Sequence, residues 1–181
     1  MSSIQLVSGS CIEQHADVVV NAANPWLDNG GGICGAIFEE AGENLLERAC
    51  ESIKTPVQVG QAVITSSFNL KPFKAIIHAI GPDFRESGAS LASLRDAYYN
   101  ALIKAMENDF SSVSFPLISS SIYAGTLKNA PGESAKQCFK AYERFLSDYP
   151  DYDIKVILCA YKNQEYESAR IIYEEYLNKR Y

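Results

Sequence analysis

Residues 18–42 decide the fold, and they read VVVNAANPWLDNGGGICGAIFEEAG. The three valines at 18–20 are β-branched and consecutive, which is typical of a strand buried on both faces of a parallel sheet. Amide side chains follow at Asn21 and Asn24, and Pro25 ends the strand. Because ligands of open α/β sheets lie beyond the carboxyl ends of the strands, we predict a binding site here.

Three glycines, Gly30, Gly31 and Gly32, lead into the helix predicted for residues 33–41. Glycine adopts positive φ without strain and lets the backbone come close to a ligand. The free N–H groups and the positive dipole end at a helix start both attract phosphate. Since the chain has no cluster of basic residues, we predict that backbone amides of this turn bind the anion.

Gly30, Gly32 and Gly35 also match the G-x-G-x-x-G pattern of dinucleotide-binding folds. That pattern requires a strand directly before the first glycine and an acidic residue that ends a second strand about 20 residues later. Here the polar residues 21–29 separate the strand from the glycines, and residues 44–53 have the pattern of a second helix. We therefore predict a phosphate site without a dinucleotide-binding fold.

Composition excludes several classes of function. The 181 residues, with 47% hydrophobic residues, are predicted to form one domain, residues 1–181. A net charge of −6 with scattered Lys and Arg argues against general nucleic-acid and membrane binding. The N-terminal residues do not resemble a signal peptide, and no apolar run approaches the ~18 residues of a membrane span, so we expect a cytoplasmic protein. We also expect a monomer.

The cysteines and histidines do not have the spacing of a metal site. None of the five cysteines forms a C-x-x-C pair, so we expect reduced thiols and neither a metal nor a cofactor. Cys50, Cys138 and Cys159 fall on apolar faces and are interpreted as core residues. Only Cys34 lies beside the expected site. His78 lies in an apolar strand and is interpreted as structural, with a catalytic base as the alternative.

Strand and helix patterns alternate along the chain. Apolar runs predict strands at 4–7, 18–20, 62–65, 75–80, 113–115 and 154–159, and helical spacing predicts helices at 33–41, 44–53, 91–106, 133–147 and 165–178. This order predicts a three-layer α/β/α fold with a mostly parallel central sheet of about six strands. The loops near Asn21, Ser119 and Tyr161 are then expected to meet at one edge of the sheet.

The loop at residues 119–125, SSSIYAG, is the second candidate for ligand binding. Its small residues expose backbone N–H groups, and Tyr123 is able to stack on a sugar or a base. The alternative is a solvated turn in which Tyr123 closes the core.

Together these motifs resemble those of the macro domains. The family motif Asn-Ala-Ala-Asn followed by Gly-Gly-Gly-Val/Ile is present at residues 21–24 and 30–33. Further matches are GQAVIT at 60–65, IHAIGP at 77–82 and FPLISSSIY at 115–123, and the resemblance extends over residues 4–175. The chain most resembles the MacroD-type branch, whose members bind ADP-ribose and often hydrolyse O-acetyl-ADP-ribose or the ester between ADP-ribose and a protein carboxylate.

The resemblance implies a role for each motif residue. Backbone amides of the two loops would bind the diphosphate, Asn24 would bind the distal ribose that Tyr123 covers, and Tyr161 would stack near the adenine. Asn24 is thus the expected catalytic residue, with Cys34 as the second candidate. The ligand-binding residues expected on this basis are Ser10, Cys11, Ile12, Asn24, Gly30, Gly31, Gly32, Ile33, Ser119, Ser120, Ser121, Ile122, Tyr123 and Tyr161.

The chain departs from the family pattern at three places. Gly9-Ser10-Cys11-Ile12 replaces the usual Gly-Asp-Ile, whose Asp accepts from the adenine amino group. A hydroxyl accepts less strongly than a carboxylate, because charge-assisted hydrogen bonds are about twice as strong. Cys34 replaces an Asp that MacroD-type hydrolases usually have two residues after the last glycine. In the second loop, Ser121 and Ala124 replace glycines, which restricts the φ angles of that loop.

The function expected from the resemblance is hydrolysis of ADP-ribosyl esters. The ligand's own diphosphate would position a water at the anomeric carbon, and the partners would be ADP-ribose or an ADP-ribosylated protein. A helix start lowers the pKa of a thiol, so Cys34 is an alternative nucleophile, but no base is evident near it. Two other functions stay open: a non-catalytic reader of ADP-ribose, and a site for another phosphorylated nucleotide.

Overall fold

The computed structural model describes residues 1–180, in which six strands and five α-helices alternate. The strands are β1 (Ser3–Ser8), β2 (Val18–Ala23), β3 (Ala62–Ser66), β4 (Ala75–Ile80), β5 (Ser112–Pro116) and β6 (Lys155–Ala160). The helices are α1 (Gly32–Ala41), α2 (Glu43–Glu51), α3 (Leu91–Glu107), α4 (Ala130–Asp148) and α5 (Asn163–Arg180). Every predicted strand and helix is present, and each begins and ends within three residues of its predicted bounds.

The six strands form one sheet in the order β1-β6-β5-β2-β4-β3. All neighbouring strands are parallel except β3 and β4, which are antiparallel. The predicted mostly parallel sheet is therefore confirmed. Because β2, β5 and β6 are parallel neighbours near the centre of the sheet, their carboxyl ends lie at one edge, and the loops that follow them are close together.

Helices cover both faces of this sheet and make the three predicted layers. Buried residues of α1 and α2, such as Phe38 and Leu46, form one apolar cluster, and those of α3, α4 and α5, such as Tyr98 and Phe145, form the other. Residues 18–20 are fully buried, with Val19 in the first cluster and its two neighbours in the second. Successive side chains of a strand point to opposite faces of the sheet. Because both faces are covered here, all three residues are apolar.

Within the described residues, none of the helices combines the length and hydrophobicity that crossing a bilayer requires. All five cysteines are buried free thiols, and Cys50, Cys138 and Cys159 belong to the apolar clusters, as interpreted from the sequence. Over residues 1–180, no group of three or more His, Cys, Asp or Glu side chains is placed to hold a metal ion.

Candidate functional site

A cavity of about 390 Å³ lies at the carboxyl edge of the sheet, beyond β2 and β5. Its volume is in the range of small-molecule sites, roughly 300–1,000 Å³. Four segments form its walls: the end of β2, the glycine turn, the loop after β4 and the loop after β5. The lining residues are Ala22, Ala23, Asn24, Asp28, Gly30, Gly31, Gly32, Ile33, Cys34, Gly81, Arg85, Leu117, Ile118, Ser119, Ser120, Ser121, Ile122 and Tyr123.

The glycine turn forms one wall and leads directly into α1. Gly31 and Gly32 have φ of 80° and 55°, a conformation that side chains disfavour and that glycine adopts without strain. A Cβ added at either residue would meet no other atom within 4 Å, so the backbone here faces open space. Among residues 1–180, no side chain caps the start of α1. Its first N–H groups are therefore available to an anion, as predicted for a helix start.

The loop after β5 forms the opposite wall. Ser119 has a φ of 59°, and its hydroxyl donates to the Pro82 carbonyl at 2.7 Å. The Ser120 hydroxyl donates to the Leu117 carbonyl at 2.7 Å. Gly81 has to be a glycine, because a Cβ there would lie 2.5 Å from the Ser119 hydroxyl oxygen. Since these hydroxyls bind the protein's own carbonyls, the loop offers the ligand its backbone rather than its serine side chains.

Tyr123 and Arg85 close one side of the cavity. The Arg85 guanidinium lies 5.6 Å from the centre of the Tyr123 ring, within the range of a cation–π contact. Both nitrogens that face Asp83 donate to its carboxylate, from Nε at 2.9 Å and from Nη2 at 2.7 Å. These hydrogen bonds hold the pKa of Asp83 below its usual value. Tyr123 lines the cavity instead of closing the core. Arg85 adds a cation to the site that the sequence analysis did not predict.

Asn24 holds the turn that leads from β2 to the glycines. Its Oδ1 accepts from the backbone N–H of Trp26 at 3.0 Å and from that of Asp28 at 3.1 Å. Both donors are backbone amides, so the oxygen has to face them and the orientation of the side-chain amide is settled. The Nδ2 donor makes no hydrogen bond with the described residues. It remains available to a ligand in the cavity.

Cys34 lies in the first turn of α1 at the cavity wall, and only 6% of it is exposed. Its Sγ donates to the Asp28 carbonyl at 3.4 Å. Burial raises the pKa of the thiol, and the nearby Asp28 carboxylate adds to the increase. The lowering expected from the helix start is therefore outweighed, so the thiol is protonated at neutral pH and poorly suited to act as a nucleophile.

Asn21 and His78 lie in the sheet interior and not at the cavity. β2 continues three residues past the predicted end, which places Asn21 inside the strand, where its Nδ2 lies 3.0 Å from His78 Nδ1. The other ring nitrogen of His78 lies 3.0 Å from the Thr65 hydroxyl. Burial lowers the pKa of His78 to about 4, so the ring is neutral. These contacts confirm the interpretation of His78 as a structural residue.

Four residues of the expected ligand-binding set do not line this cavity: Ser10, Cys11, Ile12 and Tyr161. They follow β1 and β6, which are adjacent strands, and the Gly9 N–H donates to the Ala160 carbonyl at 3.0 Å. The Ser10 hydroxyl accepts from the Ile12 N–H at 3.4 Å, and Cys11 is buried. The Tyr161 residue is 72% exposed. These residues lie at the same edge of the sheet, beside the cavity on the side of β6.

Sequence reasoning also missed lining residues, namely Ala22, Ala23, Asp28, Gly81, Arg85, Leu117 and Ile118. The signal for most of them was position, because they directly follow or flank the ends of β2, β4 and β5. Asp28 and Arg85 are the exceptions, since each lies in an irregular segment several residues past the end of its strand.

Comparison with known proteins connects this cavity with one family. The family model of the Macro domain matches residues 20–132, a range that contains every lining residue. The chain is similar to the O-acetyl-ADP-ribose deacetylase of Enterobacter cloacae subsp. cloacae, with 43% identity over 124 residues that cover 66% of this chain and 68% of that protein.

Two solved structures have the same fold. The Oceanobacillus iheyensis macrodomain with ADP superposes with a TM-score of 0.86 and 29% sequence identity, over 98% of this chain and 93% of that chain. The Trypanosoma brucei macrodomain in complex with ADP-ribose superposes with a TM-score of 0.79 and 27% identity, over 93% of this chain and 68% of that chain.

Proposed function

Because this chain belongs to the macro-domain family, we propose that it binds ADP-ribose in the cavity and hydrolyses ADP-ribosyl esters. One observation carries the proposal: the uncapped start of α1 and the loop after β5 face one cavity from opposite sides. Two backbone-lined walls are what a diphosphate requires, since it has several oxygens to be satisfied. The similarity to a deacetylase of O-acetyl-ADP-ribose supports the choice of ligand and of reaction.

In the proposed complex, the diphosphate lies between the glycine turn and residues 119–123. The free Nδ2 of Asn24 donates to the distal ribose, and the Tyr123 ring covers it. Arg85 contributes a positive charge at this end of the cavity, although its pairing with Asp83 reduces the net charge there. Adenine is proposed to lie toward Ser10 and Tyr161, which flank the cavity on the side of β6.

The proposed reaction is attack of a water on the anomeric carbon of the distal ribose, with the water positioned by the substrate's own diphosphate and the substrate held in position by the protein. Positioning is the main source of rate in such a site, because fixing the reacting atoms removes much of the entropic barrier. A covalent route through Cys34 is disfavoured because its thiol is buried and protonated.

We also propose that residues 1–181 form one domain that acts as a monomer in the cytoplasm.

A reader of ADP-ribose without turnover is the second candidate. It is favoured by Cys34, which stands where MacroD-type hydrolases usually have an aspartate. A site for a different phosphorylated nucleotide is favoured by Ser10, which replaces the usual adenine-binding aspartate.

Two measurements test the proposal on one preparation. ADP-ribose at about 100 times its dissociation constant adds about 2.7 kcal/mol to the free energy of unfolding, which raises Tm by roughly 5–10 °C for a chain of this size. AMP at the same concentration is expected to raise Tm much less, because it lacks the diphosphate and the distal ribose. Released ADP-ribose is then measured with O-acetyl-ADP-ribose and with protein ADP-ribosylated on acidic residues.

Each result decides between the candidates. A single thermal transition that shifts with ADP-ribose, together with turnover, supports the hydrolase. A shift without turnover of either substrate supports the reader. No shift at millimolar ADP-ribose contradicts both and leaves the different nucleotide as the ligand to test.

A further inference from the structure

Asp28 brings a carboxylate to the cavity at a point that the family motif does not explain. The residue is exposed, lines the cavity and precedes the glycine turn by two positions. Within the described chain, its carboxylate takes part in no hydrogen bond and no ion pair. An unpaired carboxylate at a site for an anionic ligand is unfavourable for binding, because the two negative charges repel each other. A role in the reaction would explain its presence.

The backbone of Asp28 is fixed from two sides. Its N–H donates to the Asn24 Oδ1 at 3.1 Å, and its carbonyl accepts from the Cys34 Sγ at 3.4 Å. The first contact ties Asp28 to the residue expected to bind the distal ribose. The second contact places it against the position where MacroD-type hydrolases usually have an aspartate.

We propose that Asp28 supplies the carboxylate that relatives have at position 34, and that it acts as the general base toward the attacking water. The inference rests on the proposed hydrolysis of ADP-ribosyl esters. Both positions line one cavity, and the backbone carbonyl of Asp28 accepts the hydrogen bond from the Cys34 thiol. The Asp28 carboxylate is also close enough to raise the pKa of that thiol, so a carboxylate at either position faces the same part of the cavity. With Cys34 in place of the usual aspartate, the acidic group is therefore at a different position of the same site.

The proton and the electrons balance in this step. As the water oxygen forms a bond to the anomeric carbon of the distal ribose, the bond from that carbon to the ester oxygen breaks. The bonding electrons leave with the ester oxygen, so the carrier is released as a carboxylate. Asp28 accepts the proton that the water loses and later returns it to solvent. No oxidant, metal or second substrate takes part.

The test compares three variants of the chain of residues 1–181. Asp28→Asn keeps the backbone contacts and the size of the side chain but cannot accept the proton. Glu86→Gln is the matched control, because it removes one negative charge next to Arg85 without changing a lining residue. The double variant Asp28→Asn, Cys34→Asp returns a carboxylate at the position used by the relatives. For each protein, kcat, KM and the ADP-ribose dissociation constant are measured, with protein esterified by ADP-ribose as the substrate.

We expect Asp28→Asn to lower kcat by ~100-fold or more, in the range of general-base catalysis. Its ADP-ribose dissociation constant should stay within about three-fold of the original or decrease, since a repulsive charge is removed. Glu86→Gln should keep kcat within about two-fold, and the double variant should regain at least ~10-fold of the lost kcat.

Three outcomes overturn the inference. One is a kcat for Asp28→Asn within about three-fold of the unmodified protein. Another is a parallel loss of ADP-ribose binding and kcat, which makes Asp28 a residue of the binding surface. The third is no turnover by the unmodified protein while its Tm still rises with ADP-ribose, in which case binding stands and the general base does not. Absence of the Tm rise, in contrast, refutes the proposed function itself.

Discussion

Asn24 has two separable tasks, and a pair of substitutions distinguishes them. Its Oδ1 holds the turn by accepting from the N–H groups of Trp26 and Asp28, while its Nδ2 is left for the ligand. Asn24→Ala removes both functions. Asn24→Asp keeps acceptor oxygens for the turn, but it loses the donor and adds a negative charge, so it changes the contact with the ribose without removing the acceptor that holds the turn.

The expected magnitudes follow from the contacts. Each of the two accepted hydrogen bonds is worth about 0.5–1.5 kcal/mol net, and the lower value applies because water reaches this exposed turn. Asn24→Ala should therefore reduce the free energy of unfolding by about 1 kcal/mol and lower Tm by roughly 2–4 °C. Asn24→Asp should leave Tm nearly unchanged. Its affinity for ADP-ribose should fall by at least about ten-fold, because a donor is lost and a negative charge is placed near the diphosphate.

Thermal unfolding without ligand and calorimetric titration with ADP-ribose measure the two effects independently. Salt adds a control, since the additional repulsion in Asn24→Asp should weaken as ionic strength rises. The reasoning is refuted if Asn24→Asp binds ADP-ribose as tightly as the unmodified protein. It is also refuted if Asn24→Asp lowers Tm as much as Asn24→Ala does, because the oxygen would then have no role of its own in the turn.

Two further predictions concern residues outside the cavity. Burial lowers the pKa of His78 to about 4, so the folded state binds its proton less readily than the unfolded state does. The folded state therefore has its full stability above pH ~6.5 and loses about 3 kcal/mol of it as the pH falls toward ~4. Urea unfolding at several pH values should show this loss, and a slope just as steep in His78→Gln would contradict it. Ser10→Asp should tighten ADP-ribose by on the order of 1 kcal/mol, or about five-fold, if adenine lies beside Ser10. Unchanged affinity in a titration would mean that adenine lies elsewhere.

Much of the fold could be predicted because its signals are local and agree with one another. The buried run at residues 18–20 and the glycine turn after it identify a parallel strand and a helix start without knowledge of the rest. The strand order could not be read in this way. The direction of β3 relative to β4 is indicated only by the connection between them, which is too short and lacks the helix that a parallel crossover needs. Which strands lie side by side depends on packing across the whole sheet.

The candidate site was predicted where the backbone carries the chemistry and missed where side chains come from irregular loops. Gly31 and Gly32 were identified because a run of glycines before a helix is a local signal, and both adopt the positive φ expected of it. Arg85 was not, since its position depends on hydrogen bonds with Asp83 and on the contact with Tyr123. For Cys34, the helix start suggested a reactive thiol, but burial has the larger effect on its pKa, and burial is a property of the packed structure.

During synthesis, β1 is made long before β6, the strand with which it pairs. Ser3 pairs with Lys155, so at ~5–20 residues per second roughly 8–30 s pass between the emergence of the two strands from the ribosome. The residues of the glycine turn and of the loop after β5 are synthesised before β6. The loops that carry Ser10 and Tyr161 come together only when β6 pairs with β1. The residues of both walls for the diphosphate are therefore synthesised before the place proposed for adenine is complete. Until then β1 lacks the strand with which it pairs in the described sheet, so its backbone N–H and C=O groups are open to pairing with another chain.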